Sequence, residues 1–118
     1  MSLGRVLLVE DEALVALVME DLIQDLGYEI SGSIGDLDRA LDWLATQTTP
    51  PDLAVLDINL GGVMVYPLAE ELVRRGVPFV FCTGYASASD PRFADAPLIR
   101  KPIDPAALGA ALGALRGA

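Results

Sequence analysis

Histidine is absent from the 118 residues, and that absence removes whole classes of chemistry. Without imidazole the chain has no Ser-His-Asp or Cys-His nucleophile pair, no His-ligated metal and no phosphohistidine of its own. Cysteine occurs once, as Cys82, so no internal disulfide framework and no thiolate zinc cluster can form. One thiol in a predicted core strand suits a reducing compartment, and a cytoplasmic location is expected. Basic residues are scarce: 8 Lys and Arg stand against 17 Asp and Glu, a formal net charge of −9. That balance repels a phosphate backbone and an anionic lipid surface alike, so neither nucleic acid nor membrane is an expected direct partner. The longest clean apolar run, Ala13 to Met19, is far short of the roughly 20 residues that span a bilayer. The opening Met1-Ser2-Leu3 has neither the basic nor the apolar region of a signal peptide.

What is present is a chain with 53% hydrophobic residues, enough for one core. A single domain over residues 1–118 is expected, with no repeat and no linker. Short apolar runs alternate with amphipathic stretches. Arg5 to Val9 reads as a strand that stops at Glu10-Asp11-Glu12. From Glu12 to Leu26, Leu14, Val18, Leu22 and Leu26 recur at helical spacing, and Gly27 closes that helix. Tyr28 to Ser33 is a weaker strand. Asp36 caps a helix carrying Leu37, Ala40, Leu41 and Leu44 on one face. After Pro50-Pro51, Leu53 to Leu56 forms a buried strand ending at Asp57, followed by a Gly-rich loop at 59–62.

Pro67 suits the first turn of a third helix, with Leu68, Leu72 and Val73 facing inward and Gly76 ending it. Val77 to Cys82 and Leu98 to Arg100 are further strands. Residues 84–96, with Gly84, Pro91 and little periodicity, predict a loop with at most a turn or two of helix. Asp104-Pro105 caps a last helix built on Leu108, Leu112 and Leu115. The alternation predicts an α/β fold, a doubly wound five-stranded parallel sheet with helices on both faces and the fourth helix short or absent.

In such sheets ligands bind beyond the carboxyl ends of the strands. There the sequence places Glu10 and Asp11 after the first strand, Asp57 after the third, Thr83 after the fourth and Lys101 after the fifth. Carboxylates gathered at short range repel one another, and a hard cation relieves them. Oxygen ligands without His or Cys favour Mg²⁺, which is usually held by one or two carboxylates and substrate phosphate. Lys101 supplies a positive charge and Thr83 a hydroxyl donor for phosphoryl oxygens, which makes Asp57 the best acceptor. Each residue alone has a plainer explanation, as a helix-start acid, a turn aspartate or a surface lysine.

Their order at successive strand ends carries a resemblance. The stretches VEDE (Val9 to Glu12), LDINL (Leu56 to Leu60), CTG (Cys82 to Gly84) and RKP (Arg100 to Pro102) make the chain similar to a response-regulator receiver domain of two-component signalling, of the chemotaxis-regulator type. VYPLAEEL and PFVFCTGYA further resemble a subgroup of single-domain receivers with an atypical fourth-helix region. The resemblance implies the flavodoxin-like strand order 2-1-3-4-5 and a phosphoryl group accepted on Asp57 from a histidine kinase or phosphotransfer protein. It implies Mg²⁺ on Asp11, Asp57 and the Asn59 backbone carbonyl, with Glu10 acting through water. Thr83 and Lys101 would bind the phosphoryl oxygens, and the Lys101-Pro102 bond would be cis. Three positions depart from the family pattern: Glu10 in place of Asp, Gly61 in place of Pro, and Leu98 where many receivers have an aromatic switch.

The expected role is a phosphoacceptor that signals to a downstream protein, not an enzyme beyond its own phosphorylation and dephosphorylation. The rivals are a pseudo-receiver that binds partners without phosphorylation and a Mg²⁺-dependent phosphohydrolase. Gly109 and Gly113, four apart on the last helix, suggest a docking or homodimer surface shared with residues 84–97.

Overall fold

The computed structural model describes residues 2–117. The first two strands are β1 (Arg5–Val9) and β2 (Glu29–Ile34), and α1 (Ala13–Asp25) lies between them. Then follow α2 (Leu37–Thr46), β3 (Leu53–Leu56), β4 (Asn59–Leu60), β5 (Val63–Met64) and α3 (Tyr66–Arg74). The chain continues with β6 (Phe79–Thr83), a single 3₁₀ turn (Pro91–Phe93), β7 (Leu98–Arg100) and α4 (Pro105–Arg116). Five strands form one sheet in the order β2-β1-β3-β6-β7, and every neighbouring pair in it is parallel. Counted along the chain, that is the predicted 2-1-3-4-5.

Strand residues alternate between the two faces, and both faces are covered. Leu7, Val9, Leu56 and Phe81 pack with Leu44 of α2 and Leu68 and Leu72 of α3. Val6, Leu8, Val55 and Val80 pack on the other side with Met19 and Ile23 of α1 and Leu108 and Leu112 of α4. Burial on both faces explains why the strands read as unbroken apolar runs. The register sets Val9 beside Leu56, Leu56 beside Phe81, and Thr83 beside Arg100. The strand ends therefore come out on one edge, carrying their terminal polar residues with them.

Several expectations need correcting. On α1 the buried residues are Met19 and Ile23, whereas Leu14 and Val18 of the expected inward line are 78% and 59% exposed. Val73 of α3 also points outward. The loop after Asp57 is a hairpin, with Asn59 paired to Met64 and Leu60 to Val63. Its two turn residues, Gly61 (φ 64°) and Gly62 (φ 96°), take left-handed backbone that suits a tight hairpin turn. Gly109 is spent inside the chain: a Cβ there would come within 3.0 Å of Leu26 Cδ2, so its small size lets α4 sit against the end of α1. Gly113 alone of that pair faces open space.

The fourth helix is indeed missing, and aromatic packing holds its replacement. Phe93 is buried and stacks on Tyr66 at 5.7 Å between centroids, with Phe79 and Phe81 at 6.0 and 6.1 Å. Asp36 and Asp104 cap α2 and α4 through their side chains, accepting from the Arg39 and Ala106 N–H groups. The Lys101-Pro102 peptide is cis. No helix among the described residues is long and apolar enough to cross a membrane.

Candidate functional site

The site is assembled by the ends of four strands. Backbone bonds fix it from beneath: Asp57 N–H donates to Val9 O at 2.9 Å, Glu10 N–H to Ile34 O at 3.1 Å, and Lys101 N–H to Thr83 O at 2.8 Å. Side chains at these positions have no choice but to converge. Carboxylate oxygens of Glu10, Asp11 and Asp57 lie within 4.8 Å of one another. Glu10, Asp57 and Thr83 are all buried, the last with 1% of its surface exposed. Asp11 and Asn59 line the mouth of the same cleft, of about 470 Å³, with Thr83, Lys101 and Tyr85.

Lys101 reaches into the cluster from β7. Its Nζ donates to Glu10 Oε1 at 2.7 Å and to Asp57 Oδ2 at 3.1 Å. Burial pushes the Glu10 carboxyl above its ordinary value, and this outweighs the opposing hydrogen bonds from Lys101 and the Glu12 N–H. For Lys101, burial alone would lower the ammonium, but its bonds to the two carboxylates hold it above the usual range. The two residues shift the same way because Glu10 is the more deeply buried of the pair, 3% against 25% side-chain exposure. One ammonium among three carboxylates leaves the pocket with a negative balance. An all-oxygen, negatively charged donor set with no His or Cys fits a hard divalent cation such as Mg²⁺.

Two features of the walls were not legible in sequence. Gly35 closes the β2-α2 loop under the site, where an added Cβ would meet Glu10 O at 3.1 Å and Asp11 Cα at 3.4 Å. A lone glycine after a strand was the only signal for that close approach. Tyr85 is half exposed and meets Asn59, whose Nδ2 donates to the phenol oxygen at 3.1 Å. Asn59 Oδ1 in turn accepts from Gly62 N–H, which ties the hairpin turn to the mouth. Cys82, next to Thr83, is ordinary core. Burial raises its thiol to about 12, so it is not a nucleophile.

Comparison with known proteins bears on the fold and the family. The chain is 38% identical to SdrG of Sphingomonas melonis Fr1, with a TM-score of 0.82 and 98% of both chains covered. The BeF3-activated conformation of SdrG from Pseudomonas melonis Fr1 matches with 37% identity, a TM-score of 0.80 and 98% coverage of both chains. The curated regulator PhyR of Methylorubrum extorquens is 31% identical over 116 residues, covering 92% of this chain and 42% of that protein. The chain thus spans about two-fifths of the curated relatives it matches. The model of the response regulator receiver domain matches residues 6–112. With the sheet order and the strand-end acidic cluster already in place, this match over most of the chain means that the protein belongs to the response regulator receiver domain family.

Proposed function

We propose that the domain accepts a phosphoryl group on Asp57 from a phosphohistidine of a histidine kinase or phosphotransfer protein, and signals to a downstream protein through the change this causes. A carboxylate oxygen of Asp57 forms the new O–P bond as the donor's N–P bond breaks, and the electron pair returns to the imidazole nitrogen. Hydrolysis by water later resets the aspartate. The observation that carries this reading is the placement of Asp57 on the cleft floor, with Lys101 Nζ 3.1 Å from its Oδ2 and the Thr83 hydroxyl lining the same cleft. Lys101 and Thr83 can bind phosphoryl oxygens, and positioning and charge neutralisation do most of the work in such transfers. Glu10, Asp11, Asp57 and the Asn59 carbonyl are the oxygen groups that would hold Mg²⁺. When bound, the cation supplies the positive charge that a phosphoryl group needs among carboxylates. The BeF3-activated state of SdrG supports the same reading here, since 37% identity extends over 98% of both chains.

The donor has to present its phosphohistidine at this mouth. Beside it, α1 leaves Leu14, Leu17 and Val18 largely exposed, and an apolar cleft joins Leu14 and Val18 to Pro102 and Ile103, the residues next to Lys101. Apolar surface adjoining the acceptor suits the donor protein as its occupant. We read residues 1–118 as one domain in the cytoplasm. Its Cα radius of gyration of 12.8 Å supports the single domain, since about 13 Å is expected at this length.

The test is intact mass after incubation with acetyl phosphate, with and without Mg²⁺. One phosphoryl group is expected on the wild type with Mg²⁺, and none on Asp57→Asn. Labelling of the Asn variant, or none on the wild type, overturns the proposal. Asp11→Ala is expected to remove most Mg²⁺ binding in calorimetry, and an unchanged titration would remove Asp11 from the ligand set.

A further inference from the structure

Tyr66 opens α3, and its ring is buried in the aromatic cluster, stacked on Phe93 and edge-on to Phe81 at 6.1 Å. Its hydroxyl leaves the core and holds a loop. It accepts the Ser89 N–H at 2.8 Å and lies 3.0 Å from Ser89 Oγ. Elsewhere the loop is tied at Tyr85, whose hydroxyl accepts from Asn59 Nδ2 at 3.1 Å, and at Ala88, which packs against the core. Gly84, Ala86 and Ser87 are small and exposed, and Gly84 has open space around it.

At the upstream end, the Tyr85 N–H donates to Thr83 Oγ1 at 3.2 Å. At the downstream end, Asp90 is bound to Arg92 and Phe93 is buried, so that end cannot follow a movement. The chain between Tyr85 and Ser89 is therefore short and pinned on both sides.

We propose that the contact between Tyr66 and Ser89 is a latch, closed in the resting domain and opened when Asp57 is phosphorylated. This rests on the reading of Asp57 as the phosphoacceptor. Among the described residues, Thr83 Oγ1 is the only acceptor in contact with the Tyr85 N–H, and Thr83 also lines the cleft around Asp57. A hydroxyl that turns to donate to a charged phosphoryl oxygen makes a bond about twice as strong as a neutral one. The turn draws Tyr85 with it, and the strain falls on the neutral bonds at Ser89, because the buried Tyr66 ring is fixed by two aromatic neighbours, Phe81 and Phe93. The latch thus takes the place of a fourth helix: it converts a small movement at Thr83 into release of an exposed loop beside α3. Opening frees the Tyr66 hydroxyl and the Ser89 N–H for a partner protein.

The test uses beryllofluoride with Mg²⁺ on the full chain, read by fluorine NMR for occupancy and by amide hydrogen exchange for the latch. Bound fluoride should speed exchange of the Ser89 amide about tenfold while the Phe93 amide stays protected. Tyr66→Phe keeps the stacked ring and removes the hydroxyl, so its Ser89 amide should exchange at the fast rate before beryllofluoride is added and change little afterwards. Ser89→Ala, which cannot disturb the core, should show a smaller rise in the same amide. Bound fluoride with unchanged Ser89 protection overturns the latch alone, as does wild-type protection in Tyr66→Phe. No bound fluoride overturns the phosphoacceptor reading and the latch together.

Discussion

Asn59 and Tyr85, 26 positions apart in sequence, meet across the mouth of the acidic cleft, with the amide nitrogen donating to the phenol oxygen at 3.1 Å. The contact joins the hairpin after β3 to the loop after β6, so the opening above Asp57 is bounded on that side by an aromatic ring.

A ring at the mouth restricts water reaching an acyl phosphate below it. Tyr85→Ala should shorten the lifetime of phosphorylated Asp57 several-fold, measured as phosphate release after removal of acetyl phosphate. Tyr85→Phe, which loses only the hydrogen bond, should shorten it less. An unaltered lifetime in the Ala variant would mean that the ring does not limit water.

Among the described residues, Lys101 is the only counter-charge in contact with both Glu10 and Asp57. Removing one partner of a buried ion pair costs ~3–5 kcal/mol. Lys101 keeps a quarter of its side chain in water, and the cost of Lys101→Met should therefore be about 1–3 kcal/mol at pH 7. Its raised pKa means its stabilising share is fully present below the ordinary value of 10.5 and is lost as pH rises through the folded value. Glu10, also raised, favours its neutral form in the fold, and acid relieves the variant as Glu10 takes up a proton. The difference in urea midpoint between wild type and variant should therefore shrink towards both acid and alkali. A constant gap from acid to pH 11 would contradict the pairing.

Leu14 and Val18 contribute little to the core, being mostly exposed. Leu14→Ser with Val18→Asn should change stability by no more than about 0.5 kcal/mol per site. Phosphorylation by acetyl phosphate should be unaffected, while transfer from a cognate phosphohistidine protein should slow at least tenfold. Equal rates with the protein donor would mean that it docks elsewhere.

The two glycines of α4 should respond differently to alanine. Gly113 faces open space, so Gly113→Ala should add about 0.5–1 kcal/mol from helix propensity alone. At Gly109 the new methyl meets Leu26 Cδ2 at 3.0 Å, and the propensity gain should be largely offset. Thermal denaturation of both variants separates these cases, and equal stabilisation would show that Leu26 moves aside freely.

The alternation of strands and helices, the parallel sheet and the chemical inventory of the cleft all follow from the order of residues along the chain. Strands buried on both faces read as apolar runs, and the polar residue at which each run stops marks the edge where the cleft forms. Asp57, Thr83 and Lys101 were visible for that reason. Features that depend on contacts between distant segments emerge only once the chain has folded. Ala13 to Met19 is apolar all round, so spacing could not choose its buried face. The sheet made that choice: Met19 and Ile23 pack with Val6 and Leu8 of β1 and with Leu108 and Leu112 of α4, which leaves Leu14 and Val18 outside. The hairpin at 59–64, the approach of Gly35 to Glu10, the grip of Lys101 on both Glu10 and Asp57, and the hold of Tyr66 on Ser89 likewise have no local signature. Each joins residues that only the closed sheet brings within bonding distance.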